Sequence, residues 1–92
     1  MTPVSRAKPG MSANPPYPSS LREPALADFV ELEETTQRCL DEAFAELEWR
    51  PWPEDALVLA RGQVFAVNRC NLWIIYERDD EARALEVWRL LV

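Results

Sequence analysis

A chain of 92 residues with 10 Lys and Arg against 16 Asp and Glu, a formal charge of −6, has room for one small core and lacks the basic footprint on which most nucleic-acid binding depends. It contains no histidine, which removes Ser-His and Cys-His nucleophile pairs and His-ligated zinc. The charge is uneven: residues 1–23 carry Arg6, Lys8 and Arg22 against Glu23, net +2, leaving 7 basic and 15 acidic residues, net −8, over 24–92.

Pro3, Pro9, Pro15, Pro16 and Pro18, with Gly10, crowd the first 18 residues among Ser, Thr and Asn. Such a stretch buries too little apolar surface to offset the cost of ordering it. Residues 1–21 are therefore expected to form a disordered Pro-rich arm, with the folded domain over 22–92. Met1 to Gly10 has no apolar run of the kind that begins a signal peptide, and no later stretch approaches the ~18 apolar residues that a membrane span requires. Two cysteines, Cys39 and Cys70, are too few for a secreted disulfide framework. Together these features predict a cytoplasmic protein with free thiols and no membrane association.

Pro24 suits a first helical turn, and Glu23 and Asp28 lie where the helix dipole favours anions. From there Leu26, Phe29, Leu32, Thr36, Leu40, Ala43 and Leu47 recur at helical spacing. The polar run Glu33-Glu34-Thr35-Thr36 leaves open one long helix or two meeting near Thr35. Pro51 and Pro53 end the helical region. The period then changes to two. Residues 56–60, 64–68, 72–78 and 84–91 read as strands, and their short connections imply antiparallel neighbours. The fold class expected is α+β, one long or two short N-terminal helices packed on an antiparallel sheet of three to four strands. Leu72, Ile74 and Tyr76 alternate with Trp73, Ile75 and Glu77, so one face of the third strand meets the helix and the other awaits a second copy of the chain, the arm or a partner.

Candidate sites are few. Only two glycines and one lysine rule out a phosphate cradle, and two distant cysteines without histidine cannot complete a zinc shell, so neither a cofactor nor a metal is expected. Arg61, Arg69, Arg78 and Arg89 either cluster to grip an anion or each pair with a local acid, with Glu77, Asp79, Asp80 and Glu86 in reach of the last two. Trp73 and Trp88 fall on adjacent strands as a candidate cross-strand pair. Trp49 and Trp52 flank Pro51, as caps of the core or as anchors for a partner.

The order of these elements resembles the RelE/ParE toxin superfamily of bacterial toxin–antitoxin systems. The resemblance rests on Glu23-Pro24-Ala25-Leu26-Ala27-Asp28-Phe29 opening a helix, a second helical stretch closing at Leu47 and Pro51, the strand Leu72-Trp73-Ile74-Ile75-Tyr76-Glu77-Arg78, an acidic turn and Leu85-Glu86-Val87-Trp88-Arg89-Leu90-Leu91. It implies either cleavage of mRNA on the ribosome, by basic residues on the sheet and a basic or aromatic tail, or binding to DNA gyrase, and in both cases neutralisation by an antitoxin.

The sequence departs from the nuclease pattern. Val64, Ala66 and Asn68 stand where RelE-like toxins carry lysines or arginines, Trp73 stands where an arginine commonly precedes the apolar-apolar-Tyr motif, and the usual first strand would have to come from residues 16–22, which read poorly as β. The expectation is therefore a toxin-family protein, degenerate at the RNase positions, that acts by binding an antitoxin or a target enzyme rather than nucleic acid directly, with homodimerisation open. The alternatives are a small acidic inhibitor or adaptor, of immunity or anti-restriction type, that occupies a basic protein surface, and a ribosome-dependent endoribonuclease using Arg61, Arg69 and Arg78.

Overall fold

The computed structural model describes residues 16–60 and 62–92. Among these residues seven elements follow one another: β1 (Ser19–Leu21), α1 (Glu23–Val30), α2 (Glu34–Trp49), β2 (Leu57–Ala60), β3 (Val64–Arg69), β4 (Leu72–Asp79) and β5 (Ala84–Leu91). Both helices lie on one face of a five-stranded sheet of order β1-β5-β4-β3-β2. The α+β expectation holds, and strands β2 to β5 form the antiparallel meander that the short connections imply.

Among the described residues the sheet has five strands rather than three to four, and the additional strand is parallel: Ser19, Ser20 and Leu21 pair with Leu85, Glu86 and Val87. The folded domain thus begins before residue 22, within the stretch expected to be an arm; residues 1–15 of that arm lie outside the described residues. What orders β1 is mostly polar. The Ser19 backbone N–H and hydroxyl both donate to Glu48 Oε2, at 2.9 and 2.6 Å, and the Tyr17 N–H donates to the Glu48 carbonyl at 2.8 Å.

The helical region is two helices, with the break at residues 31–33, before Thr35. The Gln37 side-chain amide donates to the Phe29 carbonyl at 2.9 Å and so satisfies an end that a continuing helix would have bonded itself. On α2, Leu40, Ala43, Phe44 and Leu47 are buried at steps of three and four. They meet Phe65, Val67, Leu72, Ile74, Tyr76, Leu85, Val87 and Leu90 from the sheet, the inner rows of a period-two pattern. On α1 only Ala25 is fully buried, and Leu26, expected in the apolar stripe, is half exposed.

The hairpin between β3 and β4 turns through Cys70 and Asn71, both at positive φ (59° and 64°), a pair of left-handed residues that matches strand twist. Cys70 is bonded there to Cys39 on α2, which corrects the expectation of free thiols. Their placement in space, a helix face against a hairpin turn, is information that cysteine count does not contain. The bond also removes the argument for a reducing compartment that rested on free thiols. Among the described residues no helix is long and apolar enough to cross a membrane.

With 31 residues of separation, this cross-link is expected to contribute roughly 3 to 4 kcal/mol by restricting the unfolded chain, a large share for so small a core. The double variant Cys39→Ser/Cys70→Ser should lower the urea midpoint accordingly, and a thiol reductant should bring the unmodified chain to the same midpoint. An unchanged midpoint in both cases would show that the bond does not form.

Candidate functional site

The described arginines named above are held by separate acids. The Arg69 guanidinium donates to both oxygens of Asp55, at 2.6 and 3.2 Å, and its Nε donates to Glu46 at 3.4 Å. Hydrogen bonding from Arg69 holds the Asp55 carboxyl below its ordinary pKa and raises that of the guanidinium. Arg89 grips Asp28 of α1 in the same two-pronged way, at 2.8 and 3.2 Å. Asp28 also accepts the Leu90 backbone N–H at 3.0 Å, beyond the point where β1 stops pairing with β5. Arg89 first, then Leu90, lowers the Asp28 pKa.

Arg78 lies 3.0 Å from Asp80 and stacks over the rings of Trp52 and Phe65, 5.1 and 5.4 Å from their centroids. Among the described residues each of Arg69, Arg78 and Arg89 has its own acid, and none of these acids is shared by two of them. Arg78 takes one of its expected partners, whereas Arg89 pairs with Asp28 rather than with the hairpin acids. Arg61 lies outside the described residues.

Trp49 and Trp52 are 52% and 54% exposed. Trp52 nonetheless packs on Phe65 at 5.4 Å beside Tyr76, whose hydroxyl donates to the Pro51 carbonyl at 2.7 Å. Burial pushes the Tyr76 pKa up to about 12. The Trp73–Trp88 pair does not form: Trp73 faces Asn68 and Leu91, and Trp88 falls at a bulge opposite Ile75 and Tyr76. Its ring lies instead 4.5 Å beneath the guanidinium of Arg22, which also reaches Glu86 at 3.0 Å and Glu77 at 3.9 Å.

Two surfaces emerge, of which the sequence marks only the open face of the third strand. One is β2: all four residues, Leu57 to Ala60, are exposed, on the edge of the sheet opposite β1. Its run of apolar residues was visible, but its position at an edge follows from topology. The other is the outer sheet face, away from the helices, where Trp73, Ile75, Glu77, Glu86 and Leu91 lie on β4 and β5 with Ala66 and Asn68 on β3. The only signal for it was the alternation along residues 72–77. Among the described residues no metal-binding group of His, Cys, Asp or Glu is present.

Because Asp28 and Asp55 titrate lower in the folded chain than in the unfolded one, the stability they contribute is complete above about pH 4 and is lost as the pH falls through their depressed values. The variant Asp28→Asn/Asp55→Asn should be less stable than the parent at pH 7 and should show a flatter loss of urea midpoint below pH ~4. Parallel pH profiles would contradict this assignment. Tyr76→Phe, which leaves the Pro51 carbonyl without its donor, should cost about 1 to 2 kcal/mol in the same measurement.

No family model matches the sequence, and no curated protein matches it. Solved structures do. The RelBE2 toxin–antitoxin complex of Mycobacterium tuberculosis contains a chain with TM-score 0.72 and 24% identity, matched over 83% of this chain and 96% of that one. The intact E. coli RelBE complex gives TM-score 0.72 at 18% identity, over 82% and 94%. The archaeal RelE–RelB complex of Pyrococcus horikoshii gives 0.67 at 16%, over 82% and 92%. The chain has the RelE toxin fold.

Proposed function

We propose that this chain is a RelE-like toxin-family protein that acts by binding protein, held by an antitoxin and without nuclease activity of its own. The observation that carries the reading is the state of its cations. Arg69, Arg78 and Arg89 are each neutralised by a carboxylate of the same chain, whereas cleavage of RNA needs a free base, an acid and positive charge aimed at the reacting phosphate. The edge strand β2 supports it from the other side. Among the described residues no strand pairs with its outer edge, and this edge with exposed Leu57, Val58 and Leu59 is a template for strand addition by a partner. The three structural neighbours described above were each solved as a toxin–antitoxin complex.

A binding target of gyrase type fits this reading. So does a non-nucleolytic relative whose target is another protein. The acidic inhibitor reading draws on Glu77 and Glu86, which face each other across β4 and β5 on the outer face. Ionic strength separates the two, since an apolar strand-edge interface is insensitive to salt and an acidic face on a basic groove weakens steeply with it.

The test is expression of the full chain with and without the product of the neighbouring reading frame. Growth arrest relieved by that product, together with co-purification that survives ~0.5 M salt, is the expected result, because screening at that ionic strength removes most surface electrostatics. Arrest that the neighbour does not relieve, or neither arrest nor co-purification, would contradict the proposal.

A further inference from the structure

We propose that the outer sheet face is a target-recognition surface for a protein segment carrying a cationic side chain and an apolar anchor about 13 Å apart. The inference rests on the protein-binding reading above and deepens it by giving the target its chemistry and its place. At one end of the face, Ser20, Glu77, Asp79, Ala84, Leu85 and Glu86 line a notch of about 200 Å³, large enough for the head of a lysine or arginine. Glu77 and Glu86 are direct cross-strand partners, an arrangement of like charges that disfavours the free sheet and that a cation between them relieves. Arg22 supplies one such cation, at 3.0 and 3.9 Å, to Glu86 and Glu77, and Asp79 brings a third carboxylate to the notch.

The other end is apolar. Trp73 is 38% exposed and pairs across the strands with Leu91, 40% exposed, and Ile75 is half-buried beside them. Glu77 lies four residues along β4 from Trp73, on the same face, which sets the spacing at about 13 Å. The polarity selects the occupant. Nucleic acid would bring phosphates to Glu77, Asp79 and Glu86, whereas a basic and apolar polypeptide finds a counter-charge at one end and a large aromatic surface at the other. The antitoxin-type contact assigned to β2 uses the far edge of the sheet, so the two surfaces are distinct.

A labelled peptide alternating Lys and Leu, with a Glu-Leu counterpart as control, tests this on the full chain by fluorescence anisotropy and by amide and indole NMR shifts. Glu77→Gln/Glu86→Gln keeps acceptors for Arg22 while removing two charges, and Glu31→Gln/Glu42→Gln removes the same charge from exposed positions outside the sheet, one in the turn after α1 and one on α2. The expected result is Lys-Leu binding that weakens about tenfold in the first variant and less than about twofold in the second, and also weakens in Trp73→Ala, with shifts centred on Trp73, Ile75, Glu77 and Glu86. Equal weakening by both charge variants, shifts on another surface, no Lys-Leu binding, or a single-stranded RNA oligonucleotide bound in its place at these residues would overturn the proposal. Loss of toxin-type activity in the co-expression experiment with these peptide results intact would refute the functional reading alone.

Discussion

Strand β4 is buried on one face and open on the other, and the rest of the molecule is arranged around that asymmetry. Leu72, Ile74 and Tyr76 pass beneath Leu40, Ala43, Phe44 and Leu47 of α2, and nearly all of the domain's fully buried apolar surface lies in that layer or in the strands flanking it. A core drawn from about 75 residues is thin, so attachments at its margins matter. The Cys39–Cys70 bond and the Arg69 contacts to Asp55 and Glu46 tie the β3–β4 turn to α2 and the loop after it. Asp28 fastens α1 to the end of β5, and Glu48 fastens β1 to α2. The same asymmetry exposes Trp73, Glu77 and Glu86 to whatever the protein meets.

The use of charge follows from this economy. A small domain that anchors its edges with arginine–carboxylate pairs has fewer cations left for a phosphate. In this chain the guanidinium of Arg78 is committed to Asp80 and two aromatic rings, and that of Arg22 to Trp88 and two glutamates. Individually such exposed pairs contribute little stability. Their consequence is for the surface: the chain has the RelE fold, and its outer sheet face carries Glu77 and Glu86 beside Trp73 while the guanidinium groups of Arg22 and Arg78 are engaged within the chain.

Much of the architecture was legible because it is written in periodicity. The four antiparallel strands lie within a residue of where alternation places them, and the α2 stripe follows its three- and four-residue steps, with Phe44 the one addition. What escaped was built from polar contacts between residues far apart in sequence. Strand β1 is ordered by Ser19 on Glu48, 29 positions away, and carries only three residues, too few for a period to declare itself. Asp28 and Arg89 are 61 positions apart, and no local pattern joins them. Cysteine count carries no information on pairing, since the determining fact is that a helix face and a hairpin turn meet. Trp88 left its expected pairing because a bulge shifts the register of β5 beside Ile75 and Tyr76, and a bulge leaves no mark in alternation this short.

The most direct measurement of the central claim is the fate of messenger RNA on translating ribosomes exposed to the purified full chain, read by primer extension. Intact message at concentrations that arrest growth or saturate a protein partner is the result that neutralised cations predict. Cleavage of the message, lost when Arg61, Arg69 and Arg78 are replaced by alanine, would contradict it and return the chain to the nucleases.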